Sequence, residues 1–202
     1  MSVEVSTAPI GDPIPIDRAR DHLRITGSDY DVEIRLVLAA VTKHIENLMG
    51  RALITQTLKL RRDQWPADGE DLQLPMPPAQ SVSSITYTDT SGVVQTLSAD
   101  DYDVDIYSTP ARIRPAWGES WPSIRPVPNA ITVTYVAGYG NSPDDVPENI
   151  RQAILVALAT AYEYREAIAE GDLNCLSGPA TFAGFLSDER VYDFAEDDGE
   201  VP

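Results

Sequence analysis

Four carboxylates crowd one short stretch, Asp100, Asp101, Asp103 and Asp105, and groups so close can coordinate calcium or divide into a general acid and a general base. The glycine and terminal glutamate of a calcium loop are absent at the required offsets. Strand alternation accounts for the same residues: Asp101, Asp103 and Asp105 share one face, opposite Tyr102, Val104 and Ile106, as a solvated or subunit-facing surface. His22 and His44 are the only histidines and lie on separate helical segments, neither with a partner at metal-ligand spacing. Gly138-Tyr139-Gly140 ahead of a turn and a helix looks like a phosphate cradle. The Lys-Ser/Thr pair of a P-loop is missing, however, and Asp144 and Asp145 would repel a phosphate, so it reads as a flexible strand-to-helix connection. Trp65, Trp117 and Trp121 offer either a stacking platform for a sugar or base, or a lid that closes a sheet or meets another subunit. Two of them adjoin proline, as Trp65-Pro66 and Trp121-Pro122, which favours the lid. No catalytic, cofactor-binding or metal-ligating residue is assigned.

The elements that position these residues are helices around a β-patterned middle. Pro147 at a first helical position and Glu148 in the first turn start a helix over 147–168, whose stripe is Ile150, Ile154, Ala157, Leu158 and Ala161. A stripe this apolar requires a partner. It is supplied by a helix over 29–49, with Asp29 as N-cap, Tyr30, Ile34, Val37, Val41, Ile45 and Leu48 as its stripe, and Gly50 at the left-handed C-terminal position. A shorter helix over 16–24 precedes it, with Asp17 as a possible cap and Ile16 and Leu23 as anchors.

From 53 to 136 the period is two rather than 3.6. Leu58, Leu60 and Arg62 alternate with Lys59, Arg61 and Asp63, and Val82, Ser84 and Thr86 with Ser83, Ile85 and Tyr87. Asp89-Thr90-Ser91-Gly92 turns the second strand into Val93–Leu97 as a hairpin. Residues 102–107, 112–114 and 131–136 add further strands. Pro75, Pro77 and Pro78, and Pro122, Pro126 and Pro128, confine their segments to loops. The fold class is α+β: a small helical layer of two long helices and a short one, an antiparallel β insertion forming a sheet or small sandwich, and an extended C-terminal arm. The divisions are an N-terminal extension over 1–15, the main domain over 16–170, and an arm with an acidic tail over 171–202.

In that arm, Gly171 and Gly178-Pro179 break the helical pattern before an apolar patch that runs from Thr181 to Leu186. Such a patch, between glycine hinges and charges, either packs back on its own domain or inserts into a partner. The candidate partner-binding residues are Phe182, Phe185, Leu186, Arg190, Val191, Tyr192 and Phe194.

Composition sets outer bounds. The chain has 202 residues, 43% of them hydrophobic, enough for one good core or one core with a satellite layer. There is no apolar run of about 18 residues to span a bilayer and no basic-then-apolar secretory signature. Cys175 is the one cysteine, so an intramolecular disulfide is impossible and a reducing compartment fits. A formal net charge of -17 opposes adhesion to nucleic acid and argues against sequence reading.

The ordered set of phrases resembles one family. His22-Leu23-Arg24-Ile25 ends a short helix, and Glu46 to Leu53 (ENLMGRAL) ends a longer one. Thr55-Gln56-Thr57-Leu58, Trp65-Pro66, Leu74-Pro75-Met76-Pro77-Pro78, Val82 to Tyr87, Val133 to Tyr139 and Val146-Pro147 then follow in sequence. This order, along nearly the whole chain, is similar to that of the head-tail connector (adaptor, neck) proteins of long-tailed bacteriophages, prophages and gene transfer agents. The chain departs from the usual pattern by continuing past Val191 into an acidic run. The resemblance implies a non-enzymatic structural protein without cofactors, located in the neck of a virion and assembled in the bacterial cytoplasm. It implies a homo-oligomeric, dodecameric ring between the portal protein and a stopper or tail-completion protein, with DNA passing through the lumen unread and no membrane contact. It also assigns the C-terminal arm to the portal or a neighbouring subunit. The rival functions are a sugar- or peptide-binding β module built on the tryptophans and a metal-dependent hydrolase built on Asp100 to Asp105.

Overall fold

Apolar side chains at helical spacing assemble the first of two cores. In the computed structural model, which describes residues 1–67 and 69–163, helices α1 (Ile16–Leu23), α2 (Asp31–Met49) and α3 (Glu148–Glu163) form one layer. Ile34, Leu38, Val41, Ile45 and Met49 of α2 pack against Ile150, Ala153, Ile154, Ala157, Leu158 and Ala161 of α3, with Ile14 and Ala19 closing the end of the cluster. The two long helices pair as expected, although the whole β region separates them in sequence. Each presents one stripe too apolar for water, and the other stripe covers it.

The helix termini differ from the sequence reading. α2 begins at Asp31 rather than Asp29, and Tyr30 stands at the N-cap without a side-chain hydrogen bond. Asp31 N–H instead donates to the Ser28 carbonyl, so Asp29 lies within a turn leading into the helix, and Tyr30 is 52% exposed instead of buried in the stripe. Pro15, not Asp17, precedes α1; Asp17 sits in the first turn and pairs with Arg20, and Arg24 ends the helix in the left-handed region. Gly50 ends α2 at φ 65° as anticipated. Pro147 lies one place before α3, where its carbonyl accepts from the N–H of Ile150 and Arg151, both at 3.1 Å. The part of the 147–168 span past Glu163 lies outside the described residues.

The second core lies between two antiparallel sheets. The larger has the order β1 (Ser2–Thr7), β2 (Gln56–Arg62), β8 (Ile131–Ala137), β4 (Ala79–Thr88), β5 (Val94–Thr96), and the smaller β3 (Leu72–Leu74), β7 (Ala111–Pro115), β6 (Tyr102–Asp105). Leu58, Leu60, Ile85, Ile131, Val133 and Tyr135 meet Leu72, Leu74, Ala111 and Ile113, so the β region is a small sandwich. The Tyr135 hydroxyl donates to the Pro75 carbonyl at 2.6 Å, tying β8 to the proline-rich turn between β3 and β4.

Two features depart from simple alternation. Residues 1–15, expected only as an extension, supply β1, whose Val3 and Val5 pair with Leu60 and Leu58. In β4 the register shifts between Val82 and Ser84, so Val82 stands across from Tyr135 and Ile85 across from Val133. Strict alternation would place Val82 and Ile85 on opposite faces, and the extra residue of the bulge at Ser83 lets both approach the sandwich core. The hairpin after β4 forms as read, with the Asp89 carboxylate accepting from Ser91 N–H, Val93 N–H and Gln95 Nε2.

Ile154 is fully buried between the helices. Ile154→Asp places an unpaired carboxylate there at a cost on the order of 4 kcal/mol, a large part of the ~5–15 kcal/mol that holds a domain together. Urea unfolding followed by circular dichroism should show a large fall in midpoint or an unfolded chain. An unchanged midpoint contradicts the helix pairing.

Candidate functional site

Arginines from the adjacent strand neutralise part of the carboxylate cluster. Asp100 and Asp101 fall in a 3-10 turn, Ala99–Asp101, rather than in the strand, so Asp101 does not extend the acidic face of β6. Asp103 and Asp105 do share a face, across from Arg114 and Arg112 of β7. The Asp105 carboxylate accepts from Ser108 Oγ at 2.6 Å, Arg112 Nε at 3.0 Å, Tyr107 N–H at 3.0 Å and Ser108 N–H at 3.2 Å. These bonds, those from Ser108 and then Arg112 foremost, hold its carboxyl down at about 2. Asp71 reaches over from the loop before β3 to Arg114 at 3.0 Å and Arg112 at 3.5 Å. The arrangement staples three strands of the small sheet. It leaves Asp105 a saturated acceptor, unsuited to proton transfer near neutral pH.

The other sequence candidates separate into structural roles. Trp65 and Trp121 stack on each other with ring centroids 4.4 Å apart and planes 4° from parallel, and Trp65 Nε1 donates to the Pro122 carbonyl at 2.9 Å. Both rest against the sandwich core, so they form the lid, and each occupies a ring face that a sugar would need. Trp117 is not part of it and stands 101% exposed on a turn. His22 and His44 remain on α1 and α2. No group of three or more metal-ligating side chains occurs among the described residues. No helix among them is long and apolar enough to cross a membrane.

Gly138-Tyr139-Gly140 is a pinned seam rather than a flexible connection. Gly138 N–H donates to the Pro78 carbonyl, Tyr139 N–H to the Leu53 carbonyl and Thr55 N–H to the Gly140 carbonyl, at 2.9, 3.0 and 2.9 Å. Gly138 has φ 132°, and a Cβ there would stand 2.6 Å from the backbone of Ile54 and Thr55. Only glycine permits that approach. The Ser142 hydroxyl and the Asp145 carboxylate cap the following 3-10 turn, Pro143–Asp145, so the Asp145 carboxylate is engaged in local capping.

Sequence reasoning passed over the residue on the other side of this seam. Glu46 is 7% exposed on α2, and its Oε1 accepts from Leu53 N–H at 3.1 Å and Gln56 Nε2 at 3.3 Å, while Lys43 Nζ lies 3.4 Å from its Oε2. The carboxylate thus joins the helical layer to the start of β2. The available signal was position: Glu46 directly follows the stripe residue Ile45, and Gly50 turns the chain back toward it.

Phe182, Phe185, Leu186, Arg190, Val191, Tyr192 and Phe194, the residues assigned to partner binding, lie outside the described residues.

No family model matches the chain, and neither does any curated protein. Solved structures do. A chain from the virion of a native gene transfer agent particle superposes with a TM-score of 0.76 at 24% identity, covering 97% of this chain and 99% of that one. A chain from the neck of an empty gene transfer agent particle, computed with C6 symmetry, gives 0.76 at 25% identity over the same shares. A chain from the neck of the native particle, computed with C12 symmetry, gives 0.75 at 25% identity, again over 97% and 99%. This chain has the fold of a gene transfer agent neck component. The likeness covers nearly the full length of both partners, as the ordered phrases of the sequence implied.

The Asp105 cradle makes a measurable statement about pH. Its folded value lies below the ordinary one, so its contribution to stability is present above about pH 3.9 and is lost as pH falls through about 2. A carbon-detected carboxyl titration should place its midpoint near 2, and Ser108→Ala should raise it. A midpoint at the ordinary carboxylate value contradicts the cradle.

Proposed function

We propose that this chain is a structural head-tail adaptor of a gene transfer agent or phage-like particle. Copies form a ring of twelve in the neck, between the portal protein and a stopper or tail-completion protein, and the ring extends the DNA channel. The observation that supports this most is the near full-length match to neck chains, one of them in a reconstruction with C12 symmetry. The sequence resemblance to the adaptor family points the same way. The particle is assembled in the bacterial cytoplasm and carries the ring to its final place in the virion.

The chemistry of the chain fits a conduit better than a catalyst. A duplex carries about one charge per 1.7 Å, and a net charge of -17 on every copy supplies repulsion over roughly 8 Å at physiological salt. DNA then slides past without being held. The same charge opposes association between copies in dilute solution, so ring closure draws on contacts with the portal. The hydrolase alternative calls on Asp100 to Asp105, of which Asp105 is occupied by Ser108 and Arg112 and Asp100 and Asp101 sit apart in the 3-10 turn. The sugar-binding alternative calls on Trp65, Trp117 and Trp121, of which Trp65 and Trp121 occupy each other and Trp117 stands apart from them on a turn.

The arm from 171 carries the portal contact in this proposal, through Phe182, Phe185, Leu186, Arg190, Val191, Tyr192 and Phe194. The described residues already assemble two buried cores within 1–163, and in this proposal truncation after Gly178 should leave the unfolding midpoint unchanged. The same truncation should abolish capture by immobilised portal protein. Undiminished capture of the truncated chain contradicts the assignment of the arm, and failure of the full chain to be captured contradicts the adaptor reading itself.

A further inference from the structure

α2 is apolar on the side that faces away from its own core. Opposite Ile34, Leu38, Val41 and Ile45 lie Val32, Leu36, Ala39 and Ala40 at helical spacing, all exposed, with Val32 at 83% and Leu36 at 73%. A helix apolar on opposite faces is ordinarily buried on both. Cations flank this outer stripe: Arg35, which has no ion pair among the described residues, and Lys43, which is half-exposed beside Glu46.

The small sheet carries a surface of complementary character. Among the described residues β6 is its edge strand, following the order β3, β7, β6. Val104 stands across from the buried Ile113 but is 37% exposed, since among the described residues no strand pairs beyond it. Ile106 is also open, at 36%, and Tyr107 stands 94% exposed. Asp100 and Asp103 rim this edge, exposed and without an ion pair among the described residues. An unprotected strand edge with apolar side chains is a pairing surface unless something covers it.

We infer that the outer face of α2 on one copy docks against the β6 edge of the next copy. The inference rests on the ring proposed above, since cyclic symmetry of higher order than two requires two different, mutually complementary surfaces on every subunit. The α2 stripe is apolar with Arg35 along one side and Lys43 at its end, and the β6 edge is apolar with an acidic rim. One surface lies on the helical layer and the other on the edge of the sandwich, so the two are separate patches of one subunit. The apolar centres supply the burial. The Arg35 and Lys43 side chains opposite Asp100 and Asp103 set the register and reject a like-charged approach, even though each copy as a whole is strongly acidic.

Site-directed cross-linking in the full chain tests this pairing. With Cys175→Ser removing the native thiol, Leu36→Cys and Tyr107→Cys are combined, the protein is mixed with portal protein, and a short bis-maleimide is added. A ladder of multimers up to a closed ring is expected from the double variant and no ladder from either single variant. Arg35→Glu should lose assembly on the portal, and adding Asp103→Arg should restore it. Sedimentation separates the two ways of failing. A ring that forms without a ladder overturns this pairing and leaves the ring intact, whereas the absence of any ring on the portal overturns the proposed function and this inference with it.

Discussion

The structure depends on a seam where two cores are locked together through backbone. Neither the helical layer nor the sandwich shares its buried cluster with the other. What joins them is the carboxylate of Glu46 holding Leu53 and Gln56, the crossing of Leu53 to Thr55 with Gly138 to Gly140, and Ala52 N–H donating to the Pro77 carbonyl at 3.2 Å. Gln80 Nε2 adds bonds to Thr55 Oγ1 at 2.9 Å and the Gly138 carbonyl at 2.7 Å. A buried donor that loses its acceptor costs about 1–3 kcal/mol, so Glu46 matters well beyond its single charge. Gly138 is equally constrained, since any side chain there would collide with the backbone it crosses.

A rigid seam is what a ring subunit requires. A cyclic assembly closes only if the angle between the two contacting surfaces of each copy is fixed, and small errors accumulate around the ring. One of the inferred surfaces lies on α2 and the other on β6, so the angle between them is set where the cores meet. The ion pair of Asp105 with Arg112 staples β6 to β7, and Asp71 ties Arg112 and Arg114 of β7 to the start of β3, so the second surface is held in the same way. The tryptophan pair packs against the sandwich core. Residues that first suggested chemistry, carboxylates, glycines and aromatics, thus serve geometry.

Much of this was legible in the sequence because periodicity is local. The stripes of α2 and α3, the left-handed Gly50, the Asp89 turn and the strands around it all announce themselves within a few residues. Features that depend on distant partners did not. β1 is six residues with only Val3 and Val5 to mark it, and it exists because β2 offers an edge. The bulge at Ser83 is visible only against the register of β8, and the burial of Glu46 only once Leu53 and Gln56 fold back on it. Asp29 and Asp17 carry the right chemistry for N-caps, but the Ser28 turn delays the start of α2 to Asp31 and the extended Pro15 starts α1 ahead of Asp17. The outer stripe of α2 was present in the sequence as Val32, Leu36, Ala39 and Ala40, and was overlooked because the inner stripe already explained the helix.

The central claim, that this chain is a repeated structural subunit of a particle neck, is tested most directly by electron cryomicroscopy of purified particles that carry it, with the neck reconstructed without imposed symmetry. The account predicts a single ring of twelve copies between portal and tail, each fitting the α2 and α3 layer and the eight-stranded sandwich as one rigid body. A neck in which no density accommodates this fold, or particles that hold the chain outside the neck, would contradict it.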